Sequence, residues 1–316
     1  MDILGVCSIA LDTLSSVDHL PIKDSFCTVL KTQKAQGGSG TNVLVQSQRV
    51  GAQTGVVTKI AMDADSDQIL RNLKQVGIDS RGVYRQAGQY AAPHCLIYID
   101  PEGEKTLILD KLAELPPLNH DEADLSLIDE TQVVYVDLCP ARLGLEVMKL
   151  AKQKGKQVVL NIQDNMDTVR ARHVTDEEIL DALQYLDVFA PCQEGIKGLS
   201  GETKVDQQIA FIRQYYQGLI ILTLGVHGLV AVDEQDQRYE IPAYQLDAVD
   251  TTGAGDAFIG SFMANYLVQK QPLEAALKFA TSCAAYTCLD FGAQASPTTE
   301  QVQAFQNKYQ LKSVGR

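Results

Sequence analysis

The middle of the chain alternates short apolar segments with longer amphipathic ones. Residues 133–137, 157–161 and 219–224 are apolar runs with the length of buried strands. Between them, residues 142–154 and 176–185 repeat apolar side chains at helical spacing. Strands and helices that alternate in this way predict an α/β protein with a parallel sheet and helices on both faces. Ligands of such sheets bind beyond the carboxyl ends of the strands, so we expect functional residues there.

Two segments interrupt this alternation. Residues 15–32 contain strand fragments, and residues 94–109 predict a hairpin around a turn that contains proline and glycine. Because neither segment fits a strand–helix repeat, their expected place is a small β lid beside the main sheet. No linker or repeat separates them from the rest of the chain. We therefore expect one domain over residues 1–316, with lid insertions at about 11–36 and 92–110.

The chain of 316 residues has a formal net charge of −13. This charge argues against a nucleic-acid partner, because affinity for a phosphate backbone depends on clustered Lys and Arg. It does not exclude a single nucleotide held by backbone N–H groups. The first residues predict no signal peptide, and no apolar run approaches the ~18 residues that span a bilayer. Seven scattered cysteines favour reduced thiols, so we expect a cytoplasmic protein without a membrane partner.

Residues 250–256 form a glycine-rich turn that ends in a carboxylate, Asp256. Three small residues leave the backbone free to direct its N–H groups to one point: Gly253, Ala254 and Gly255. The apolar residues 257–267 predict a buried helix behind the turn, and the amino terminus of a helix favours an anion. An anion site beside a carboxylate suits phosphoryl transfer to a hydroxyl. The alternative is an ordinary left-handed turn with Asp256 in the first helical turn.

Two features nearer the amino terminus suit the binding of a polyol. Gly37 and Gly38 permit a close approach of the backbone to a ligand, and Asn42 supplies both a donor and an acceptor. The alternative is a flexible turn with Asn42 as a helix N-cap. Asp12 follows the first predicted strand, over residues 2–9, and its carboxylate can accept hydrogen bonds from two neighbouring hydroxyls. An ordinary turn carboxylate is the alternative there.

A third glycine-rich segment follows the strand predicted over residues 219–224. Thr223, Gly225 and Gly228 suit the edge of a nucleotide or a phosphate, and a simple strand-to-hairpin turn is the alternative. The chain contains no G-x-x-x-x-G-K-[ST] motif, so it is not a P-loop protein. The absence of G-x-G-x-x-G after the first strand removes the main support for dinucleotide binding.

The order of these features along the chain resembles the PfkB-type, or ribokinase-like, family of sugar kinases. Asp12 comes first, residues 37–42 second, residues 223–225 third and residues 250–256 last, and the similarity extends over essentially the full length. The resemblance implies a ribokinase-like three-layer α/β/α sandwich with a mostly parallel central sheet and a small β-sheet lid. It also implies ATP-dependent phosphorylation of a hydroxyl on a small sugar or sugar derivative.

The same resemblance implies roles for individual residues. Asp256 would take the proton of the sugar hydroxyl, and the N–H groups of Gly253, Ala254 and Gly255 would form the anion hole. The implied sugar-binding residues are Asp12, Gly37, Gly38 and Asn42, and the implied ATP-binding residues are Thr223, Gly225, Gly228 and Thr281. Mg²⁺ would accompany ATP, and a monovalent cation such as K⁺ would lie among Asp250, Thr252, Thr287, Asp290, Gly292 and Ser296. The lid would close over the sugar and pair two chains in a homodimer.

One segment departs from the family pattern. Many members carry Asn-x-x-Glu after the strand that corresponds to residues 188–190, whereas this chain has Cys192 and Gly195 there and Glu194 one position early. In family members this motif takes part in binding magnesium and phosphate, so the departure leaves open how this chain binds them. The departure also leaves open that the chain is a sugar-binding regulatory protein without catalytic activity. A second alternative to a sugar kinase is a nucleoside kinase. Residues 8–21 resemble the ketohexokinase and sulfofructose kinase branch more than ribokinase.

Overall fold

The computed structural model describes residues 1–309 of the chain. Its strands form two sheets, one of nine strands and one of four. In chain order the strands are β1 (Ile3–Val6), β2 (Ala10–Val17), β3 (Val29–Gly37), β4 (Thr54–Ala61), β5 (Asp79–Gln86), β6 (His94–Ile99), β7 (Lys105–Asp110), β8 (Val133–Val136), β9 (Gln157–Leu160), β10 (Val188–Phe189), β11 (Leu219–Thr223), β12 (Leu229–Val232) and β13 (Arg238–Ile241).

Helices connect most of the strands of the larger sheet. In chain order they are α1 (Ser39–Arg49), α2 (Ala64–Val76), α3 (Ala141–Gln153), α4 (Met166–Arg170), α5 (Asp176–Ala182), α6 (Gln193–Ser200), α7 (Val205–Ile212), α8 (Ala254–Phe262), α9 (Leu273–Thr287) and α10 (Thr299–Lys308). A π-helical segment, Met263–Val268, continues α8. Within residues 1–309, none of the helices has the length and apolar character needed to cross a membrane.

The larger sheet has the strand order β13-β12-β11-β10-β9-β8-β1-β4-β5. Neighbouring strands are parallel except where β12 pairs with β11 and β13. The carboxyl ends of the parallel strands therefore share one edge, which is where ligands of α/β sheets bind. This arrangement confirms the mostly parallel sheet that the alternating segments predict.

The two faces of the larger sheet are covered by different helices. Because successive strand residues point to opposite faces, Ile3 packs in one apolar cluster with Phe262 and Leu277, and Leu4 packs in another with Val147. The first cluster joins the sheet to α1, α8 and α9, and the second joins it to α3, α5 and α6. Each fully buried apolar side chain contributes about 1.5–3 kcal/mol to folding. The result is the predicted three-layer α/β/α sandwich.

The smaller sheet, which we call the lid, has the strand order β3-β2-β6-β7. β2 and β6 are parallel neighbours, whereas β3 and β7 pair antiparallel to them at the two edges. Leu14, Cys95, Ile97 and Ile99 form a small apolar core within the lid. The lid strands lie in the two stretches of sequence that break the strand–helix alternation, because those stretches carry short strands without intervening helices.

Two details of the fold differ from the sequence-based expectation. The first strand ends at Val6, so Asp12 does not follow it but lies inside lid strand β2. Strand β5 was not predicted, because its residues are mostly polar and half-buried at the edge of the larger sheet. Both differences arise where pairing with a neighbouring strand, and not a local apolar run, determines the strand.

Candidate active site

Helices α1 and α8 pack side by side at Gly260. A Cβ atom at this residue would lie 2.3 Å from the carbonyl oxygen of Val43, so only glycine permits the approach. Ser47 Oγ donates to the Gly260 carbonyl at 2.9 Å, and Gln46 Nε2 donates to Ser261 Oγ at 2.8 Å. Each of these four polar atoms has a partner, whereas Gln46 Oε1 has none among the described residues. The contact at Gly260 places the first turns of the two helices next to each other.

The Asp256 carboxylate lies between these two helix termini. Its Oδ1 accepts a hydrogen bond from Ser39 Oγ at 2.6 Å, and its Oδ2 accepts one from Asn42 Nδ2 at 2.9 Å. Burial raises the pKa of Asp256, while the hydrogen bonds from Ser39 and Asn42 act in the opposite direction. A buried carboxylate held by two donors is a fixed proton acceptor.

The turn before α8 is held by the loop that follows α9. Gly253 has φ of 80°, and a Cβ atom there would lie 2.3 Å from the carbonyl oxygen of Ala293. The helix starts at Ala254, whose N–H donates a long hydrogen bond to the Thr251 carbonyl at 3.3 Å. The first N–H groups of a helix lack partners within the helix. The donors that Gly255 and its neighbours offer to an anion therefore lie directly beside Asp256.

Asp12 and Gly37 meet where the lid joins the larger sheet. A Cβ atom at Gly37 would lie 1.8 Å from Asp12 Oδ2, so the contact requires glycine. Cys95 N donates to Asp12 Oδ1 at 3.2 Å, and burial raises the pKa of Asp12 to about 6. Gly37 ends β3 and Gly38 is the N-cap of α1. The lid carboxylate is thus connected through two residues to the helix that carries Ser39 and Asn42.

A second buried carboxylate, Asp137, supports the same glycine segment. Its Oδ2 accepts hydrogen bonds from Ser8 N at 2.9 Å and Ser8 Oγ at 2.6 Å, and its Oδ1 accepts one from Cys139 N at 2.9 Å. Ser8 Oγ in turn accepts a hydrogen bond from Gly40 N at 2.9 Å. Burial raises the pKa of Asp137 to about 6. Asp137 therefore connects the end of β8 to the start of α1.

Asp250 joins two of the segments predicted to hold a monovalent cation. Its Oδ1 accepts hydrogen bonds from Thr252 N at 2.8 Å and Thr252 Oγ1 at 2.6 Å, and its Oδ2 accepts one from Gly292 N at 2.9 Å. Ser296 Oγ accepts a hydrogen bond from Arg49 Nη1 at 3.1 Å. The same Arg49 nitrogen donates to the Ser296 carbonyl at 2.6 Å, so the end of α1 also holds this loop.

The chemistry of these groups suits a hard cation bound by oxygen. Thr287 Oγ1 donates to the Cys283 carbonyl at 2.9 Å, and Asp290 lies exposed with its Oδ1 accepting from Phe291 N at 2.7 Å. Arg49 already binds the Ser296 side-chain oxygen and the carbonyls of Ser296 and Gln294. In residues 1–309, no group of three or more His, Cys, Asp or Glu residues is placed to hold a metal ion.

The residues predicted to contact ATP lie on two different elements. Thr223 ends β11, Gly225 begins a short 3₁₀ turn, and Gly228 accepts a hydrogen bond from Leu224 N at 2.8 Å. These three residues lie at the carboxyl edge of the larger sheet. Thr281 is buried on α9, where its Oγ1 donates to the Leu277 carbonyl at 2.9 Å.

The departure from the Asn-x-x-Glu pattern lies at the start of α6. Cys192 is the N-cap residue, and its Sγ accepts a hydrogen bond from Gly195 N at 3.4 Å. The Glu194 side chain is 68% exposed and its carboxylate pairs with Lys197 Nζ at 3.6 Å. Glu194 therefore has a surface partner on its own helix.

Ser39, Arg49 and Lys105 make contacts in the site that the sequence analysis does not predict. Ser39 donates to Asp256, Arg49 holds the loop at Ser296, and Lys105 Nζ donates to Thr252 Oγ1 at 3.0 Å. Lys105 and Thr252 are 147 residues apart, and no local pattern signals a contact of this kind. Ser39 has a local signal, since it lies inside the glycine segment.

A parallel α/β sandwich with a β lid and a buried carboxylate at a helix amino terminus defines a class of phosphotransferases. Residues 6–300 match the family model described as pfkB family carbohydrate kinase, and the chain belongs to this family. It is 28% identical to a ribokinase of Staphylococcus aureus over 95% of this chain and 97% of that protein. It is 29% identical to fructokinase-1 of Oryza sativa subsp. japonica over 84% of this chain and 86% of that protein.

A solved structure of the same fold is a ribokinase of Thermotoga maritima. It superposes with a TM-score of 0.81 at 26% identity and covers 97% of this chain and 99% of that one. The predicted family, the ribokinase-like fold and an enzyme that phosphorylates a sugar hydroxyl are thereby confirmed. The chain is a carbohydrate kinase.

Proposed function

We propose that the chain transfers the γ-phosphoryl group of ATP to a hydroxyl of a neutral sugar, with Asp256 as the base. The observation that carries the proposal is the buried Asp256 carboxylate, which Ser39 and Asn42 hold beside the amino terminus of α8. Phosphoryl transfer to an alcohol needs an acceptor for the proton and donors for the moving phosphoryl oxygens. One helix terminus offers both within a single turn.

Each group at this terminus has a defined task in the proposed reaction. Asp256 accepts the hydroxyl proton as the oxygen attacks, and its raised pKa brings it closer to the operating pH of a general base. The N–H groups of Gly253, Ala254 and Gly255 stabilise the charge on the moving phosphoryl group. The lid excludes water, which limits hydrolysis of ATP.

The charge of the site favours a neutral sugar as the acceptor. Asp12, Asp137 and Asp256 are three buried carboxylates around one glycine segment, and sugar hydroxyls donate hydrogen bonds to carboxylates. An anionic sugar placed against them would meet like charges, which disfavours binding. Asp12, Gly37, Gly38 and Asn42 are the proposed sugar contacts, with Asp137 supporting the segment through Ser8.

ATP is the proposed phosphate donor, and its base and ribose would lie along Thr223, Gly225, Gly228 and Thr281. Mg²⁺ would enter with the triphosphate and shield its charge. K⁺ is the proposed monovalent cation, because Asp250 connects Thr252 with the loop that carries Gly292. A cation there would support the turn that contains the anion hole.

The lid supports a homodimer. Its edge strands β3 and β7 have unpaired outer edges within residues 1–309, and exposed edges favour pairing with another chain. Most of the exposed large apolar side chains within residues 1–309 also lie on the lid or in its loops: Ile22, Phe26, Val29, Leu30, Leu107, Ile108, Leu109 and Leu112. Apolar surface of this kind is typical of a protein interface.

We also propose that residues 1–316 act as one catalytic domain in the cytoplasm. The seven cysteines are all unpaired in the structure, which is compatible with a reducing compartment. Both apolar clusters of the sandwich run along the same central sheet, which supports a single domain.

The proposal is tested by measuring ADP release from ATP with a panel of neutral ketoses and aldoses, sugar acids, sugar phosphates and nucleosides. We expect the highest kcat/KM with a neutral sugar. A preference for nucleosides would support the alternative of a nucleoside kinase, and sugar binding without ADP release across the panel would support a regulatory protein.

The variant Asp256→Asn tests the assigned base. We expect kcat to fall by roughly 10²–10⁴-fold, because the amide cannot take the hydroxyl proton. Sugar affinity, measured by calorimetry, should stay close to that of the wild type. The matched control is Asp206→Asn, whose side chain is 82% exposed and pairs with Arg238. Turnover by Asp256→Asn equal to that of the control would contradict the role of Asp256.

A further inference from the structure

The tip of the lid hairpin touches the loop that precedes the anion hole. Gly103, with φ of 82°, lies at this tip, and a Cβ atom there would lie 3.2 Å from the carbonyl oxygen of Val249. Two residues later, at the start of β7, Lys105 Nζ donates to Thr252 Oγ1 at 3.0 Å. The lid thus places one ammonium group at the turn that ends in Asp256.

The Lys105 ammonium lies close enough to act on the groups of the site. Burial is the main cause of the raised pKa of Asp256, and the charge of Lys105 acts against that rise. Burial also raises the pKa of the Cys288 thiol, and Lys105 again opposes it. The geometric contact of this ammonium is with Thr252 Oγ1, four residues before Asp256.

Positive charge is scarce around this terminus. Asp250 and Asp256 lie on the turn itself, and Asp164 adds to the negative potential at Asp256. Arg172 is occupied by Asp164 and by the Leu138 carbonyl. A triphosphate that brings several negative charges to this place needs a cation, and an ammonium on a flexible four-carbon stem can exchange a hydroxyl partner for a phosphate oxygen.

We infer that Lys105 is a catalytic residue of the proposed kinase: it exchanges Thr252 for an oxygen of the transferring phosphoryl group when nucleotide and sugar are bound. The role rests on the proposed function. The lid then contributes a positive charge to the transition state in addition to excluding water. Charge stabilisation of this kind acts where the phosphoryl group moves and not where the sugar binds.

The variants Lys105→Gln and Lys105→Arg test the role, with Lys111→Gln as the matched control. Lys111 lies just beyond the same strand, is exposed and pairs with Glu114, so its replacement makes the same change of charge away from the site. We expect Lys105→Gln to lower kcat by about 100-fold with little change in the KM of the sugar. Lys105→Arg keeps the charge and should stay within about tenfold of the wild type.

A second measurement distinguishes a catalytic role of Lys105 from a structural one in which Lys105 only holds the lid closed. Aluminium fluoride with ADP and the best sugar of the panel imitates the moving phosphoryl group. Lys105→Gln should bind this combination about 100-fold more weakly than the wild type, while its affinity for ADP alone changes little. If Lys105 only held the lid closed, Lys105→Gln would instead raise the KM of the sugar and leave kcat unchanged.

The possible failures are distinguishable. A wild type that releases no ADP with any sugar would overturn the proposed function and this role with it. An active wild type whose Lys105→Gln variant matches Lys111→Gln in kcat would overturn the role of Lys105 alone. The role of Lys105 would also be overturned if Lys105→Gln lost as much affinity for ADP alone as for ADP with aluminium fluoride and sugar.

Discussion

The three buried carboxylates of the site differ in how well their charge is compensated. Asp137 accepts three hydrogen bonds from Ser8 and Cys139, and Asp256 accepts two, whereas Asp12 accepts a long one from Cys95 N. Burial of a charge is costly where few donors replace water. Asp12 is therefore the carboxylate with the fewest hydrogen-bond donors among the three.

Asp12→Asn should raise the free energy of unfolding at pH 7.5 by roughly 1–3 kcal/mol, because folding raises the pKa of Asp12 to about 6. A carboxyl with a higher pKa in the folded state destabilises the fold at pH values above that pKa. The destabilisation shrinks as the pH falls through 6 towards about 4, where Asp12 is protonated in both states. Urea denaturation at pH 7.5 and pH 5 measures both values.

Asp12→Asn should also bind the sugar more weakly, because Asp12 is one of the proposed sugar contacts. A gain in stability that is as large at pH 5 as at pH 7.5 would contradict the assigned cause. A loss of stability at pH 7.5 would show that the hydrogen bond from Cys95 outweighs the cost of burial.

At the scale of elements, local patterns predicted most of the sandwich. The apolar runs that became β8, β9 and β11 are buried on both faces, and burial of this kind leaves a continuous apolar signature. Strand β5 lacks it, because it is a half-buried edge strand. In the sequence, the lid strands are detectable only as interruptions of the strand–helix alternation, because their pairing joins residues far apart in the chain.

The candidate site was predictable to the extent that glycine and carboxylate residues cluster locally. The glycine segment, with Asn42, and the turn that ends in Asp256 are continuous in sequence, and the structure places them against each other. Ser39, Arg49 and Lys105 act through contacts between distant elements, and such contacts depend on helix packing and lid position. No single-sequence pattern encodes those distances.

Gly253→Ala should disrupt the turn before α8. The residue has φ of 80°, and a Cβ atom there would meet the Ala293 carbonyl oxygen at 2.3 Å. We expect a loss of roughly 1–3 kcal/mol in stability, from backbone strain, and a fall in kcat of at least about tenfold, because displaced donors no longer match the phosphoryl group. Thermal unfolding and steady-state kinetics provide the two values.

The matched control for this variant is Gly201→Ala. Gly201 ends α6 with φ of 73°, and an added Cβ atom would meet nothing within 4 Å. It should lose about 1 kcal/mol of stability and keep its kcat. Equal effects of the two variants on kcat would show that the position of the turn before α8 has no part in catalysis.

At the scale of the whole molecule, the exposed apolar side chains of the lid predict a dimer. Leu107 and Leu109 pair across the lid with Ile97 and Cys95, so the four lie on one face, yet Leu107 is 54% and Leu109 is 60% exposed. Replacement of both leucines by lysine should convert the dimer to a monomer, because like charges would face each other across the interface. Sedimentation equilibrium measures the mass of each species.

Tyr215→Lys is the control for this double variant, since Tyr215 is exposed on the body of the sandwich, just after α7. The control should remain dimeric. A wild type with the mass of one chain at micromolar concentration would exclude the proposed homodimer.

The position of Asp12 and Gly37 on lid strands also bears on the order in which substrates bind. These proposed sugar contacts belong to β2 and β3, while Lys105 lies on β7 of the same small sheet. A sugar bound by Asp12 and Gly37 would hold β2 and β3, and through their sheet it would hold the strand that carries Lys105. We therefore expect an ordered kinetic mechanism in which the sugar is the first substrate to bind.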